Sequence, residues 1–350
     1  MNNNPYILDI LSQPKSLQTA LEQFDPATLK PVAKAIQDNI FDRVLITGMG
    51  GSLYASYPAW LILADAGLPA IWVDTAELIH HTPALISSKT LFWAFSQSGR
   101  SAEIVSAMDL ARMRRPAALL ATVNDLESPL AKTVKTFNGL SANIPMQATV
   151  EKTVSTRTYV NSLALGQLTA IGLLGKDVEA ARFDLLKTVV AMEEYLSNWA
   201  SRVTELSEQL SFPKHLAILG RGVSLASAYA GSLILGEAAK YHAVAYQAGE
   251  FRHGPLELAG PDLTILLLAG TQGTRDLNRR LLKDLRGYNF PAFWIGTEVN
   301  EWQIEIPEVP AIGLPLVEIL PLQLLSIHFA RQIGIEPGQF FRTGKITLSE

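Results

Sequence analysis

Leu91-Phe92-Trp93-Ala94-Phe95-Ser96-Gln97-Ser98-Gly99-Arg100-Ser101-Ala102-Glu103 decides the fold of this chain. The run from Leu91 to Phe95 is apolar and aromatic, the composition of a strand buried on both faces. It stops in hydroxyls, an amide and a glycine, and a helical pattern follows at once through Ile104, Val105, Met108, Leu110 and Ala111. A strand, a short polar loop and a helix start place unpaired amides and serine hydroxyls around one point, which suits an anion. Gly99 lets the backbone come close to it. The plainer alternative is a serine-rich turn with Ser101 as an ordinary N-cap.

Outward from this stretch the same rhythm repeats. Val44 to Thr47, Ala70 to Val73 and Ala118 to Val123 read as strands with helical patterns between them. A long helical pattern from about Asp177 to Leu210 carries Met192, Tyr195, Leu196 and Trp199 at helical spacing and joins two halves. Leu216 to Leu219, Thr264 to Leu268 and Ala292 to Ile295 resume the strands. Such alternation predicts an α/β fold with parallel sheets covered on both faces. A shift of 172 places lays Gly48, Gly50 and Ser52 on Gly220, Gly222 and Ser224, so the halves read as tandem copies of one α/β unit. The repeat is too long for a solenoid.

The 350 residues are ample for two such units. With 48% hydrophobic and 18% charged residues the chain is in the range of globular proteins. A net charge of −4 gives no reason to expect nucleic acid or an anionic membrane as partner. Zero cysteines exclude disulfides, thiolate nucleophiles and Cys-ligated metals. No uninterrupted apolar run reaches the roughly 20 residues of a membrane span, and the first residues, Met1-Asn2-Asn3-Asn4-Pro5, lack a signal pattern. The expectation is a cytoplasmic protein.

Gly48-x-Gly50 after a strand invites a dinucleotide reading, with Asp74 as the ribose ligand. Leu53 stands where the third glycine of that fingerprint belongs, so it is incomplete. No P-loop lysine follows a glycine loop, and the adjacent His80-His81 pair has poor spacing for a metal, so neither cofactor nor metal is expected. Glu237 lies in the apolar helical stretch Leu233-Ile234-Leu235-Gly236-Glu237-Ala238-Ala239. It is a surface carboxylate or a general base whose proton affinity burial raises. His253 sits in the shaped loop Gly249-Glu250-Phe251-Arg252-His253-Gly254-Pro255. Apolar residues alternate after Lys345, so this is either a solvated terminal lysine or part of a docked tail that carries the amine into a cleft, to polarise a carbonyl or form a Schiff base.

Taken together, these motifs resemble the SIS (sugar isomerase) double-domain family, and within it the isomerase half of the glucosamine-6-phosphate synthases. They are Gly50-Gly51-Ser52, Ser96-Gln97-Ser98-Gly99, Asn124 to Leu130, Ser155-Thr156-Arg157, Gly220-Arg221-Gly222, the Gly249 to Pro255 loop, Pro321 to Leu325 and the tail lysine. The resemblance implies two tandem doubly wound, flavodoxin-like three-layer SIS subdomains. The expected division is an N-terminal helical segment (1–40), subdomain 1 (41–176), a linking helix (177–210), subdomain 2 (211–335) and a tail over the active site (336–350).

The resemblance also implies roles. Gly50, Gly51, Ser52, Ser96, Gln97, Ser98 and Ser101 hold a sugar phosphate, and Ser155 lies beside the sugar. Glu237 matches the base that moves a proton between C1 and C2. His253 matches the ring-opening histidine, which reaches across a homodimer interface into the partner's site. Lys345 matches the lysine that meets the ketose carbonyl. Ile234 replaces the synthase helix lysine, and Arg100 replaces the loop glutamate, adding positive charge near the phosphate. No glutaminase half is expected, and without cysteine no nucleophile releases ammonia from glutamine. The expected activity is isomerisation of a hexose or amino-sugar 6-phosphate, with deamination or deglycation. The alternative is a non-catalytic phosphosugar-binding regulatory module.

Overall fold

The structure, a computed structural model, describes residues 3–347 except 211, 259, 299–301 and 343. In chain order the elements are α1 (Pro5–Leu11), α2 (Gln13–Gln23), α3 (Lys30–Gln37), β1 (Arg43–Gly48), α4 (Gly50–Asp65), β2 (Ala70–Asp74), α5 (Thr75–His80), β3 (Thr90–Ser96), α6 (Ala102–Arg114), β4 (Ala118–Val123), α7 (Pro129–Lys135), β5 (Leu140–Pro145) and α8 (Arg157–Leu173). Then come α9 (Val178–Ser197), α10 (Trp199–Gln209), β6 (His215–Gly220), α11 (Ser224–Ala239), β7 (Ala243–Gln247), β8 (Leu263–Leu268), α12 (Gln272–Gly287), β9 (Ala292–Gly296), β10 (Gln303–Glu305) and α13 (Leu314–Gln332).

The chain divides into two compact units. The first comprises Lys15–Glu151, Thr156–Phe183 and Arg342–Glu350. Its sheet is parallel, ordered β2-β1-β3-β4-β5. Every residue of β3 and β4 is buried, as their unbroken apolar runs require. Phe92 and Ala94 face Ile104, Ala107 and Met108 of α6 in one core layer. On the other face the Trp93 indole donates to the Thr122 hydroxyl at 3.0 Å, and Gly166 lets α8 lie against the Phe95 ring. The second unit comprises Met1–Pro14, Lys152–Ser155 and Asp184–Phe341. Its parallel sheet runs β10-β9-β8-β6-β7, the same winding, and His215 opens β6 as Arg43 opens β1.

Three features differ from the sequence expectation. The expected linking helix is two helices, parted at Asn198. The segments β5, β7 and β10 were not foreseen; they are partly buried strands at the sheet edges. The stretch Ala311–Gln332 is long and apolar enough to cross a membrane, although Glu318, Gln323 and His328 interrupt its apolar run. Here 94% of an 18-residue stretch of it is buried inside the protein, as a core helix is.

One of those interruptions shapes the second unit. Glu318 of α13 is fully buried beneath the turn that opens α11, and the Ser224 hydroxyl donates to its Oε1 at 2.8 Å. Burial pushes this carboxyl up to about 8, against the hydroxyls of Ser224 and Ser227, the Gly270 amide and the Arg275 charge. The folded state therefore binds this proton more tightly than the unfolded chain. Its stabilising contribution is complete below the ordinary carboxyl value of 4.5 and is lost as pH rises to about 8. Glu318→Gln is expected to flatten the fall of melting temperature across that interval. A variant with the wild-type slope would show that the carboxyl is not held protonated.

Candidate active site

In the first unit, β1 and β3 are neighbours, with Gly48 opposite Phe95. The helices that follow them, α4 and α6, start from adjacent strand ends, at the point where the strand order reverses. A Cβ on Gly48 would stand 2.9 Å from the Phe95 carbonyl oxygen and 3.0 Å from the Leu53 amide nitrogen, so only glycine fits. The next turn needs Gly50 at φ +48°, and it leads directly into Gly51 and Ser52.

The β3–α6 turn is wound by its own hydroxyls. The Gly99 amide donates to Ser96 Oγ at 3.0 Å and the Arg100 amide to Ser98 Oγ at 3.2 Å. The segment 124–130 backs the loop: the Asn124 amide donates to the Gln97 carbonyl and the Leu130 amide to the Gly99 carbonyl. Ser101 occupies the N-cap position of α6, yet its hydroxyl makes no capping bond. The turns thus bring Gly50, Gly51, Ser52, Ser96, Gln97, Ser98 and Ser101 to the carboxyl ends of two adjacent strands. Arg100 differs from expectation. Its guanidinium pairs with Asp125 at 2.7 Å instead of adding an uncompensated positive charge to the turn.

The tail enters the same unit. The Ala102 amide, at the start of α6, donates to the Thr347 carbonyl at 3.2 Å. Two residues earlier, Lys345 Nζ lies 2.8 Å from Glu151 Oε2. The Glu151 side chain is wholly buried and that of Lys345 is 17% exposed. Oε1 of Glu151 also accepts from the Thr156 amide and hydroxyl, both at 2.9 Å, and from the Arg157 amide at 2.8 Å. The Thr158 hydroxyl reaches Oε2 at 2.6 Å. Burial alone would push this carboxyl up; the Lys345 ammonium and the donors at the start of α8 outweigh it and hold the group below the usual range. Sequence reasoning left Glu151 without a role. The available signal was an acid shortly before Thr156-Arg157-Thr158 and an apolar helix, the setting of a helix-start carboxylate.

Ser155, Glu237 and His253 belong to the second unit. Ser155 is partly exposed just before the start of α8. Glu237 lies in the last turn of α11, partly exposed, and its backbone carbonyl accepts from Lys240 Nζ. Ile234, one turn earlier, is 3% exposed and belongs to the core. His253 is exposed at the end of a short 3-10 turn anchored by the fully buried Phe251 ring, which packs against Tyr246 and Phe290.

Asp74, the ribose ligand of the dinucleotide reading, instead caps α5 by accepting from the Ala76 amide at 2.8 Å. What the first unit offers is a polar, glycine-lined turn pair with a lysine-bearing tail on its helix. Gly99 is the sensitive point, because φ is +60° and a Cβ there would run into the Ser128 side chain and crowd Leu130 Cβ. Gly99→Ala is expected to lower stability by about 1–3 kcal/mol and to weaken protection by inorganic phosphate in a thermal melt. Undiminished protection would place the anion elsewhere.

Comparisons with known proteins agree with this architecture. The chain is 27% identical over 342 residues to the glutamine–fructose-6-phosphate aminotransferase (isomerizing) of Pyrococcus horikoshii, covering 94% of this chain and 55% of that protein. It is 27% identical over 319 residues to the Thermus thermophilus protein of the same name, covering 87% and 52%. The chain therefore spans about half the length of these curated relatives. Among solved structures, the C-terminal domain of glucosamine-fructose-6-phosphate aminotransferase from Francisella tularensis superposes with TM-score 0.81 at 22% identity, over 95% of this chain and 98% of that one. Tagatose-6-phosphate ketose/aldose isomerase from Escherichia coli gives 0.80 at 17% identity, over 97% of each chain. Glucosamine-6-phosphate deaminase from Thermotoga maritima gives 0.73 at 18%, over 95% and 96%. At these identities the structures speak for the fold alone. The SIS domain model matches residues 41–172 and again 209–331. With a doubly wound sheet in each of those stretches, the chain belongs to the SIS domain family.

Proposed function

We propose that this protein is an enzyme that isomerises a hexose or amino-sugar 6-phosphate, with glucosamine 6-phosphate and its deamination as the favoured case. The observation that carries the reading is the tail. It sets Thr347 on the first amide of α6 and Lys345 two residues away, so a reactive amine belongs to the same unit as the candidate phosphate turn. Two residues of chain reach at most about 7 Å, the scale of a hexose phosphate. Relatives named for fructose 6-phosphate amination support a phosphosugar substrate.

In this reading the turns hold the phosphate and supply binding energy for positioning. His253 assists ring opening, and Glu237 takes the proton from C2 and returns it to C1. Lys345 meets the carbonyl oxygen. With an amino group on C2 the shift yields a C2 imine. Water adds to it and ammonia leaves, giving the ketose phosphate. Ser155 lies beside the sugar. The protein acts without cofactor or metal, in the cytoplasm.

A second reading, a phosphosugar-binding regulatory module, is favoured by one observation: Ile234 is a core residue where the synthase pattern has a lysine. NMR in D₂O separates the two. With glucosamine 6-phosphate the wild type is expected to incorporate deuterium at C1 or C2 and release ammonia, and Glu237→Gln to bind the sugar while losing exchange by about 10²–10⁴-fold. Binding without exchange in the wild type across a phosphosugar panel would select the module.

The exposed His253 also suits a shared site in a homodimer. His253→Ala and Glu237→Gln chains, each nearly inactive, are expected to regain part of the activity once their subunits exchange. If mass spectrometry confirms mixed dimers that stay inactive, each chain's site is its own.

A further inference from the structure

Arg221 is a cation without a counter-charge among the described residues. It stands in the Gly220-Arg221-Gly222 turn between β6 and α11 and is partly buried. Its Nε donates to Asn278 Oδ1 at 2.8 Å. Asn278 of α12 is fully buried, and its own amide is fixed on the Leu268 and Ala269 carbonyls, both at 3.1 Å. The guanidinium is thus held by a partner that is itself fixed. It lies beside Gly249, where a Cβ would stand 2.9 Å from Nη1. Among the described residues, no acceptor takes the N–H groups of Nη1 and Nη2, and no carboxylate pairs with this arginine.

The charged neighbour that acts on it is Arg252, of the same sign. Burial, and then that charge, lower the affinity of Arg221 for its proton below the ordinary arginine value. Arg252 is itself paired with Asp284 at 2.6 Å. Two guanidinium groups against one carboxylate leave one positive charge in place. Taking a cation partly out of water without an anion is costly. The missing anion does not come from the acids nearby: the buried Glu318 carboxyl under the same turn is bonded to Ser224, and Asp284 is taken by Arg252. The open end of a guanidinium, with parallel N–H groups, matches the two oxygens of a carboxylate.

We propose that Arg221, held by Asn278 beside Arg252 and Gly249, is a binding site for the carboxylate of a small ligand. The site draws on the second unit alone, and it does not depend on the phosphosugar reading. The ligand oxygens accept from Nη1 and Nη2. Its single negative charge balances the one positive charge left over, which favours a carboxylate over a doubly charged phosphate. The loop on which it rests is the one that presents His253.

The test labels the full chain with phenylglyoxal, which attacks unpaired arginines, and reads each position by peptide mass spectrometry. Arg221 is expected to react ahead of Arg252. Acetate is expected to slow its labelling, by about tenfold at ten times the half-protecting concentration, while chloride at the same ionic strength leaves it unchanged. Inorganic phosphate is expected to protect less than acetate. Asp284→Asn removes the acid that neutralises Arg252, and it is expected to lower the half-protecting acetate concentration by up to about fivefold. Gly249→Ala is expected to raise it, by displacing the guanidinium.

Equal slowing by acetate and chloride is screening alone and overturns the inference. Stronger protection by phosphate overturns the carboxylate assignment. Slow labelling of Arg221 with no ligand added also overturns it; a dimer that dissociates in Arg221→Gln on sedimentation would then identify an acid of a second copy as the partner. If a variant fails to fold, the acetate, chloride and phosphate comparison in the wild type still decides. None of these readouts uses turnover, so their failure leaves the phosphosugar reading standing.

Discussion

Burial of the strands is the constraint on which the rest of the structure depends. Every residue of β3, β4, β8 and β9 is inside, so the central strands have no face on which to receive a ligand. Parallel strands also end on the same side of the sheet, and each then turns into a helix whose first amides lack intrahelical acceptors. Chemistry is driven to those ends. The glycines at 48 and 50 and the hydroxyls at 96 and 98 answer a packing requirement and a hydrogen-bonding requirement at one place.

Glu151 meets a similar demand from another direction. The start of α8 is inside the first unit, and its amides need an acceptor that water does not supply. A carboxylate satisfies them, but it carries a charge that burial alone disfavours. Lys345 brings the opposite charge. The docking of the tail is thus bound to the electrostatics of a helix start. Local folding energetics and the placement of the Lys345 amine rest on the same few atoms.

The central strands were legible because continuous apolar runs leave little choice of structure, and the turn at Ser96 to Ser101 because its glycine and hydroxyls are contiguous. The glycine turns of both units were legible through their 172-residue offset, which the starts of β1 and β6 reproduce. The partly buried strands β5 and β7 were not, since partial burial weakens the pattern. Nor was the break at Asn198, because periodicity on either side of it is preserved. The ion pair between Glu151 and Lys345 was out of reach for a different reason: its partners are 194 residues apart, and no local rule joins them. Arg100 shows the opposite error, in which a charge read from its own loop is neutralised by an aspartate 25 residues away.

The buried Glu318 gives the duplication a direction. Ser224 is the repeat counterpart of Ser52, and it donates to a carboxyl group that the second unit itself provides. Gly270, on the turn after β8, faces the same carboxylate, as the turn after β3 borders the candidate phosphate position. In the second unit the corresponding turns close on an internal side chain, Glu318. The duplicated turns are therefore not equivalent: those of the second unit are spent on a packing contact with α13.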